Sequence, residues 1–366
     1  MEISIIGLPK SGKTTIFNAL TRRSITSEPS TSSKLAPSIG IAKVPELRLE
    51  VLGKIFHPKK ITFAEIRYTD TAGTTKDFGK KGGIEGQLLN YISKADALLH
   101  VVRAFKDERV PHVDGSIDPD RDIATMNLEL IFSDLSIIER RLQRIQEILK
   151  GAKTQERDLL TKEQVLLHKV KIWLEKEKPI REQELNPDEL HSLANYQFLT
   201  AKPRLVVMNI DESQIAQCSA IEAELRRRHS DTHFQVLAIC GKLEMELGQL
   251  SESEAKEFRT AMGLGEPAPD RIVRASYELL GLISFFTTVS DELRAWAIPK
   301  GTTALKAAGK IHSDIEKGFI KAEVLSFKDL QRCGSLAEAR RQGLLRLEGK
   351  NYIVEDGDII TFLFNV

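Results

Sequence analysis

The sequence predicts an α/β protein: a doubly wound sheet, an α-helical hairpin inserted into it, and a small C-terminal β-grasp sheet. Three observations carry that prediction. Short apolar runs of strand length alternate with helical patterns in two blocks, residues 1–127 and 202–281. Between them, over residues 128–201, apolar residues recur at alternating spacings of four and three, the period of a coiled-coil seam. Over residues 282–366, four short strand-like runs accompany one helical stretch.

The first element is Ile3-Ser4-Ile5-Ile6, a short apolar run that suits a buried strand. Next comes Gly7-Leu8-Pro9-Lys10-Ser11-Gly12-Lys13-Thr14, which reads G-x-x-x-x-G-K-T. Thr15-Ile16-Phe17-Asn18-Ala19-Leu20 then carries apolar residues at helical spacing. Strand, glycine-containing turn and helix form the context of a phosphate-binding loop. Gly7 and Gly12 let the chain curl so that successive N–H groups face phosphate oxygens, and the helix N-terminus adds partial positive charge. The candidate nucleotide-binding residues here are Pro9, Lys10, Ser11, Gly12, Lys13, Thr14 and Thr15. Lys13 is expected to reach the β- and γ-phosphates in a catalytic role, and the Thr14 hydroxyl to ligate Mg²⁺.

Arg22 to Pro37 is rich in Ser, Thr and Pro and reads as a surface loop, where a P-loop GTPase has its first switch. Ile61 to Tyr68 reads as a strand that ends at Asp70-Thr71-Ala72-Gly73, the pattern D-x-x-G. The Asp70 carboxylate is the second candidate Mg²⁺ ligand. The Gly73 N–H is expected to meet the γ-phosphate and so to sense hydrolysis. Thr74 to Gly86 holds four glycines among lysines and reads as a loop able to rearrange when the γ-phosphate leaves. Ala97 to Val102 is another apolar strand, followed by a polar loop, Arg103 to Asp122, that contains His112.

In the inserted segment, Ile131, Leu135, Ile138, Leu142, Ile145 and Leu149 form one stripe. Leu159, Leu166, Val170 and Trp173 are expected to form a second, with a third, shorter helix near Pro187 to Leu199. The outside of this arm carries Arg140, Arg141, Arg144, Lys150, Lys153, Arg157, Lys162, Lys169 and Lys171. A basic arm of this kind reads either as a solvated helix surface or as a surface for RNA phosphates.

The α/β pattern resumes with Arg204 to Met208, a strand that runs into Asn209-Ile210-Asp211-Glu212. Phe234 to Ile239 follows and ends at Cys240-Gly241-Lys242. A GTPase carries N-K-x-D and S-A-K at these strand ends to hold the base. Here the first reads N-x-x-E, so Asn209, Ile210, Glu212, Cys240 and Gly241 are the candidate base-site residues. In the C-terminal segment, Ile283–Phe286, Arg294–Ile298, Lys321–Leu325 and Asp358–Phe364 read as strands, and Thr303 to Ile315 as the helix across them.

Composition narrows the function classes. The 366 residues carry 53 Lys and Arg against 52 Asp and Glu, a net charge of +1, which argues against a wholesale polyanion binder. Cys218, Cys240 and Cys333 are odd in number, far apart and in no C-x-x-C pattern, as expected without a disulfide framework or zinc site. No apolar run approaches the roughly 20 residues that span a bilayer. Met1-Glu2 leads straight into the first strand and leaves no room for a signal peptide, so a cytoplasmic monomer without membrane contact is expected.

These motifs together resemble the YchF/Obg-like ATPase family over essentially the whole chain. The resemblance rests on Gly7-Leu8-Pro9 with the phosphate loop, Asp70–Gly73, Val101-Val102-Arg103 and Asn209–Glu212. It also rests on Arg294-Ala295-Trp296, Lys300–Thr303, Ala307–His312 and Asp356–Ile360, which look like that family's TGS domain. The implied fold is a doubly wound P-loop nucleotidase domain with an inserted α-helical hairpin and a C-terminal TGS-like β-grasp domain. The implied activity is Mg²⁺-dependent ATP hydrolysis, with GTP used less well, on or near the ribosome. In relatives a loop histidine is implicated in hydrolysis; the matching position is His112, in Val110-Pro111-His112-Val113. The chain departs from the family in three places. Relatives usually carry Asn-Val where this chain has Lys10-Ser11. Their first switch ends T-I-E-P-N, matched here by Lys34-Leu35-Ala36-Pro37-Ser38, so the Thr that completes the Mg²⁺ shell is missing. The usual apolar residue after D-x-x-G is also absent. Two readings follow: a slow ATP-hydrolysing switch, or a nucleotide-gated RNA- or ribosome-binding scaffold with little hydrolysis. A small-molecule kinase is disfavoured, since no second catalytic carboxylate is evident.

Overall fold

The computed structural model describes residues 1–21, 37–71, 84, 86–151, 153–229, 235–289 and 291–365. β1 (Glu2–Ile6) leads to α1 (Lys13–Leu20), β2 (Ser38–Lys43), α2 (Arg48–Phe56), β3 (Lys60–Thr62) and β4 (Glu65–Asp70). α3 (Gly86–Lys94) and β5 (Ala97–Arg103) precede α4 (Pro119–Leu149), α5 (Thr154–Glu175) and α6 (Pro187–Leu193). Then come β6 (Arg204–Asn209), α7 (Cys218–Arg228), β7 (Gln235–Ile239), α8 (Gly241–Leu247), α9 (Glu252–Ala261) and α10 (Ala268–Leu279). The last stretch holds β8 (Leu282–Val289), β9 (Glu292–Pro299), α11 (Ala304–Ile311), α12 (Ser313–Lys317) and β10 (Phe319–Ser326). It closes with α13 (Phe327–Cys333), α14 (Leu336–Arg341), β11 (Arg346–Glu348) and β12 (Asp358–Phe364). Two compact units result: residues 1–41 with 67–269, and residues 42–66 with 270–366.

The sheet of the first unit runs β2-β4-β1-β5-β6-β7, and β1 pairs in parallel with both β4 and β5. Every residue of β5 and of β6 is buried. That is why these strands read as continuous apolar runs rather than alternating ones. β1 sits where the chain leaves toward β4 on one side and β5 on the other. In open α/β sheets such a point, at the carboxyl ends of the strands, is where ligands bind. The residues after β1 are Gly7 to Gly12.

α4 begins at Asp118, whose side chain accepts a hydrogen bond from the Arg121 N–H, with Pro119 in the first turn. Its 31 residues span roughly 46 Å at the helical rise. Ile123, Met126 and Leu130 pack in the sheet's apolar clusters, while Ile131, Ile138, Leu142 and Ile145 pack in the arm. One unbroken helix therefore joins the sheet to the arm. The second stripe differs from expectation. Leu160, Leu167, Val170 and Leu174 are buried, whereas Leu159 is 66% and Trp173 38% exposed. Leu159-Leu160, Leu166-Leu167 and Trp173-Leu174 are adjacent apolar pairs seven residues apart. Spacing alone admits either member; packing against α4 buries the second of each pair, with Leu166 half-buried against the same core.

Asp134 on α4 fastens the end of the insertion. Its carboxylate accepts from the N–H groups of Leu199 and Thr200 at 2.8 Å each and from Thr200 Oγ1 at 2.6 Å. Burial nevertheless pushes its pKa up to about 6, the Thr200 and Leu199 donors opposing. A folded value above the unfolded one of 3.8 means the folded state holds the proton more tightly. This group's contribution to stability therefore falls as pH rises from about 4 to about 6, and is level above. Urea unfolding of the wild type should show a decline over that window that Asp134→Asn lacks, up to about 3 kcal/mol at about 1.4 kcal/mol per pKa unit.

The expected single strand from Ile61 to Tyr68 is two strands, interrupted at Phe63-Ala64. β4 joins the first sheet, while β3 pairs in parallel with β9 in the second, ordered β11-β10-β12-β8-β9-β3. In that second sheet β8 and β9 pair antiparallel, as do β10 and β12. Phe285, Ile298, Val324 and Ile360 pack against Ala304, Ala307 and Ala308 of α11. The expected helix from Thr303 to Ile315 breaks at His312, which is extended and caps α12 by accepting from the Asp314 N–H. Among the described residues no helix is long and apolar enough to cross a membrane.

Candidate functional site: the phosphate loop

The loop after β1 takes its shape from two glycines. Gly7 has φ 151°, and a Cβ there would lie 2.3 Å from the Val101 carbonyl oxygen. Gly12 has φ 95°, and a Cβ there would lie 2.2 Å from Asn209 Nδ2. No other residue type meets both the backbone angle and the space. Between them Lys10 is left-handed at φ 65°, unusual for a residue with a Cβ.

Lys13 opens α1 and folds back under the loop. Its Nζ donates to Gly7 O at 2.9 Å and Leu8 O at 3.0 Å, and the residue is 4% exposed. Burial lowers its pKa to about 8, the Asp70 charge opposing. At neutral pH it is an ammonium held by two neutral carbonyls, a cation ready for a stronger acceptor. One residue on, Thr14 Oγ1 donates to Asp70 Oδ2 at 2.7 Å. Asp70 is held at the end of β4 beside β1, where Thr71 Oγ1 donates to Ile5 O at 2.6 Å. A hydroxyl and a carboxylate converging at this distance are hard oxygen donors. They suit Mg²⁺, which takes few protein oxygens and completes its shell with water and phosphate. Gly73, the third member of that expectation, lies outside the described residues, as do residues 22–36 and most of Thr74 to Gly86.

Asn209, expected near the base, is 4% exposed and brackets two loops. Its Nδ2 donates to Ser11 O at 3.1 Å, and its Oδ1 accepts from the Gly241 N–H at 3.1 Å. It therefore sets the distance between the phosphate loop and the Cys240-Gly241 turn. Ile210 and Cys240 are buried beside it, and burial pushes the Cys240 thiol up. Glu212 is exposed, and its Oε1 accepts from Lys242 Nζ at 3.2 Å. Pro9 and Thr15 flank the loop and are half-buried.

His112 is placed differently from a solvated loop residue. Its ring is only 4% exposed. Nε2 lies 2.8 Å from Asp122 Oδ2, and Nδ1 accepts from the Asp114 N–H at 3.1 Å. The proton therefore sits on Nε2, shared with Asp122. Arg121 holds the other carboxylate oxygen of Asp122 through Nη2 at 2.9 Å and Nε at 3.2 Å. His112, Asp114 and Asp122 are ligand types within reach of one metal ion. The Arg121 guanidinium already supplies the positive charge there, so the group reads as an ion-paired knot. Sequence reasoning missed Arg121 and Asp122, which lie in the first turn of α4 and look like ordinary helix-start residues. It also missed the role of Arg103, fully buried at the end of β5. Arg103 stacks on Phe105 at 4.4 Å and donates to the carbonyls of Phe105 at 3.2 Å and Asp107 at 3.4 Å, which shapes the chain leaving the strand.

Five adjacent parallel strands, β4-β1-β5-β6-β7, a G-x-x-x-x-G-K-T loop at their switch point, a buried loop lysine and a Thr–Asp pair at the helix start together define a P-loop nucleoside triphosphatase. A family model described as "50S ribosome-binding GTPase" matches residues 2–138. Another, named YchF-GTPase_C and described as a protein of unknown function, matches residues 282–365. The "Ribosome-binding ATPase YchF" of Bacillus subtilis is 39% identical over 368 residues, covering all of both chains. That of Escherichia coli O157:H7 is 36% identical, over 100% of this chain and 99% of its own. The solved structure of the Schizosaccharomyces pombe YchF GTPase matches with a TM-score of 0.86 at 30% identity, over 99% of this chain and 97% of that one. The chain belongs to the YchF family.

Proposed function

We infer that this protein binds ATP with Mg²⁺, hydrolyses it slowly, and passes the nucleotide state to a ribosome in the cytoplasm, working as a monomer. The observation that carries the reading is the phosphate loop with Lys13 buried beneath it and Thr14 paired to Asp70. Lys13 would leave the Gly7 and Leu8 carbonyls for the β- and γ-phosphates, a charge-assisted contact. Thr14 and Asp70 would hold Mg²⁺, which neutralises charge developing on the phosphate oxygens. The backbone N–H groups of Pro9-flanked Lys10 to Thr15 would cradle the phosphates, and the Gly73 N–H would meet the γ-phosphate. His112 would orient the attacking water. ATP is favoured over GTP because the carboxylate that would accept guanine's two N–H donors is Glu212, already paired with Lys242. The names of the relatives, ribosome-binding ATPases, support the partner and the substrate.

The domain reading follows from the same function: residues 1–127 with 202–281 bind nucleotide, 128–201 form the coiled-coil arm, and 282–366 form the TGS-like domain. Not all of the arm's cations are available to RNA. Arg141 pairs with Glu163 at 2.7 Å, Lys169 with Glu189 at 2.7 Å, and Lys171 with Glu139 at 2.8 Å. Arg140, Arg144, Lys150, Lys153 and Lys162 are exposed and form no ion pair among the described residues. Reversing Arg140, Arg144 and Lys150 to Glu should abolish co-sedimentation with ribosomes and leave ATP affinity within twofold. Unchanged co-sedimentation would make the arm a solvated face. The scaffold reading stays open for one reason: Lys34 to Ser38 has no Thr to complete the Mg²⁺ shell.

A further inference from the structure

We propose that Lys10 is the positioning residue that couples occupancy of the phosphate loop to His112, by exchanging one acceptor for another. The inference rests on the reading of Gly7 to Thr14 as a triphosphate site and of His112 as a hydrolytic residue.

Lys10 belongs to the phosphate loop itself, held at φ 65°. Its exposed Nζ has a partner within the chain. It donates to the carbonyl oxygen of Pro111 at 3.3 Å. Pro111 is 101 positions further along the chain and immediately precedes His112. This one side chain therefore ties the phosphate loop to the chain that carries the histidine. In the tied arrangement His112 is inert toward a water molecule. Both ring nitrogens are engaged, one by Asp122 and one by the Asp114 N–H, and the ring is 4% exposed. Asp122 is itself 3% exposed and clamped by Arg121. The imidazole becomes useful only after it leaves Asp122.

The two acceptors available to Lys10 are unequal. The Pro111 carbonyl is neutral, and the bond to it is long and exposed. A polyphosphate in the loop is anionic, so it adds the attraction between opposite charges to the hydrogen bond, which the neutral carbonyl cannot. When a triphosphate binds, the ammonium moves to it and Pro111 loses its tie. Residues 108–116 then keep the His112–Asp122 knot and the two bonds from Arg121 to Ser116, at 2.9 Å to Oγ and 2.7 Å to the carbonyl oxygen, but lose their tie to the phosphate loop and open more often. With phosphate gone, Lys10 returns to Pro111 and the chain closes again. The relation is specific to a cationic residue at this position, because an uncharged amide has little to gain by the exchange.

The test is hydrogen exchange by mass spectrometry on the full-length protein, without nucleotide and with Mg²⁺ plus a non-hydrolysable ATP analogue. In the wild type the analogue should speed exchange of the amides in residues 108–116 at least about threefold, while slowing those of residues 12–15. In Lys10→Met, residues 108–116 should exchange fast already without nucleotide, and the analogue should add nothing. Lys10→Arg, which keeps the charge and the donors, should restore the wild-type response; a purely structural role for the side chain would not produce that rescue. Protection of residues 12–15 with no change in 108–116 would overturn the coupling and leave the nucleotide site standing. The same holds if Lys10→Met matches the wild type in the free state. Absence of protection at residues 12–15 would remove the nucleotide site and the coupling together.

Discussion

Lys13→Ala should lower ATP affinity about 10- to 150-fold. A hydrogen bond from a charged group is worth about 1.5–3 kcal/mol, and each 1.4 kcal/mol is a factor of ten. In the nucleotide-free protein the ammonium is held by Gly7 O and Leu8 O. Those carbonyls lose a donor in the variant, so the fold must be monitored alongside. Titration calorimetry with ATP and Mg²⁺ gives the affinity, and thermal unfolding shows whether the variant remains native. A native Lys13→Ala protein with unchanged affinity would mean that the loop does not hold the polyphosphate.

Asp70→Asn should cut hydrolysis by at least about 100-fold while leaving ATP affinity in the absence of Mg²⁺ near the wild-type value. Removing one electrostatic stabiliser of a transition state costs about 10²–10³ in rate. The Asn side chain keeps an oxygen within reach of Thr14 but gives up the charge that a divalent ion needs. The signature is a lost difference: ATP binding should tighten with Mg²⁺ in the wild type and not in the variant. Equal Mg²⁺ dependence in both proteins would remove Asp70 from the metal site.

The sequence shows the phosphate loop plainly because its chemistry is contiguous: eight neighbouring residues carry the turn, the cation and the hydroxyl. The Asp70 position is readable because it opens D-x-x-G at a strand end about sixty residues after the phosphate loop. Contacts made between distant residues were not readable. Nothing in the local pattern tells that Asn209 spans from Ser11 to Gly241, or that Lys10 meets Pro111. His112 looked like a loop histidine because its partner Asp122 sits in a helix turn where acidic residues are common anyway. The α5 register fails at Leu159-Leu160 and Trp173-Leu174, where only the position of α4 decides which member is buried, while Leu166 packs half-buried beside Leu167 on the same core. The sequence merges β3 with β4 because a strand-like run from Ile61 to Tyr68 does not say which sheet each half joins.

The measurement that bears most directly on the whole account is single-turnover hydrolysis of labelled ATP by the wild-type protein, with and without ribosomes, with GTP run in parallel. The account predicts slow release of phosphate from ATP, faster release when ribosomes are present, less from GTP, and none from Lys13→Ala. ATP that stays bound and intact for as long as the protein remains native, with ribosomes or without, would contradict hydrolysis and make the protein a nucleotide-gated scaffold.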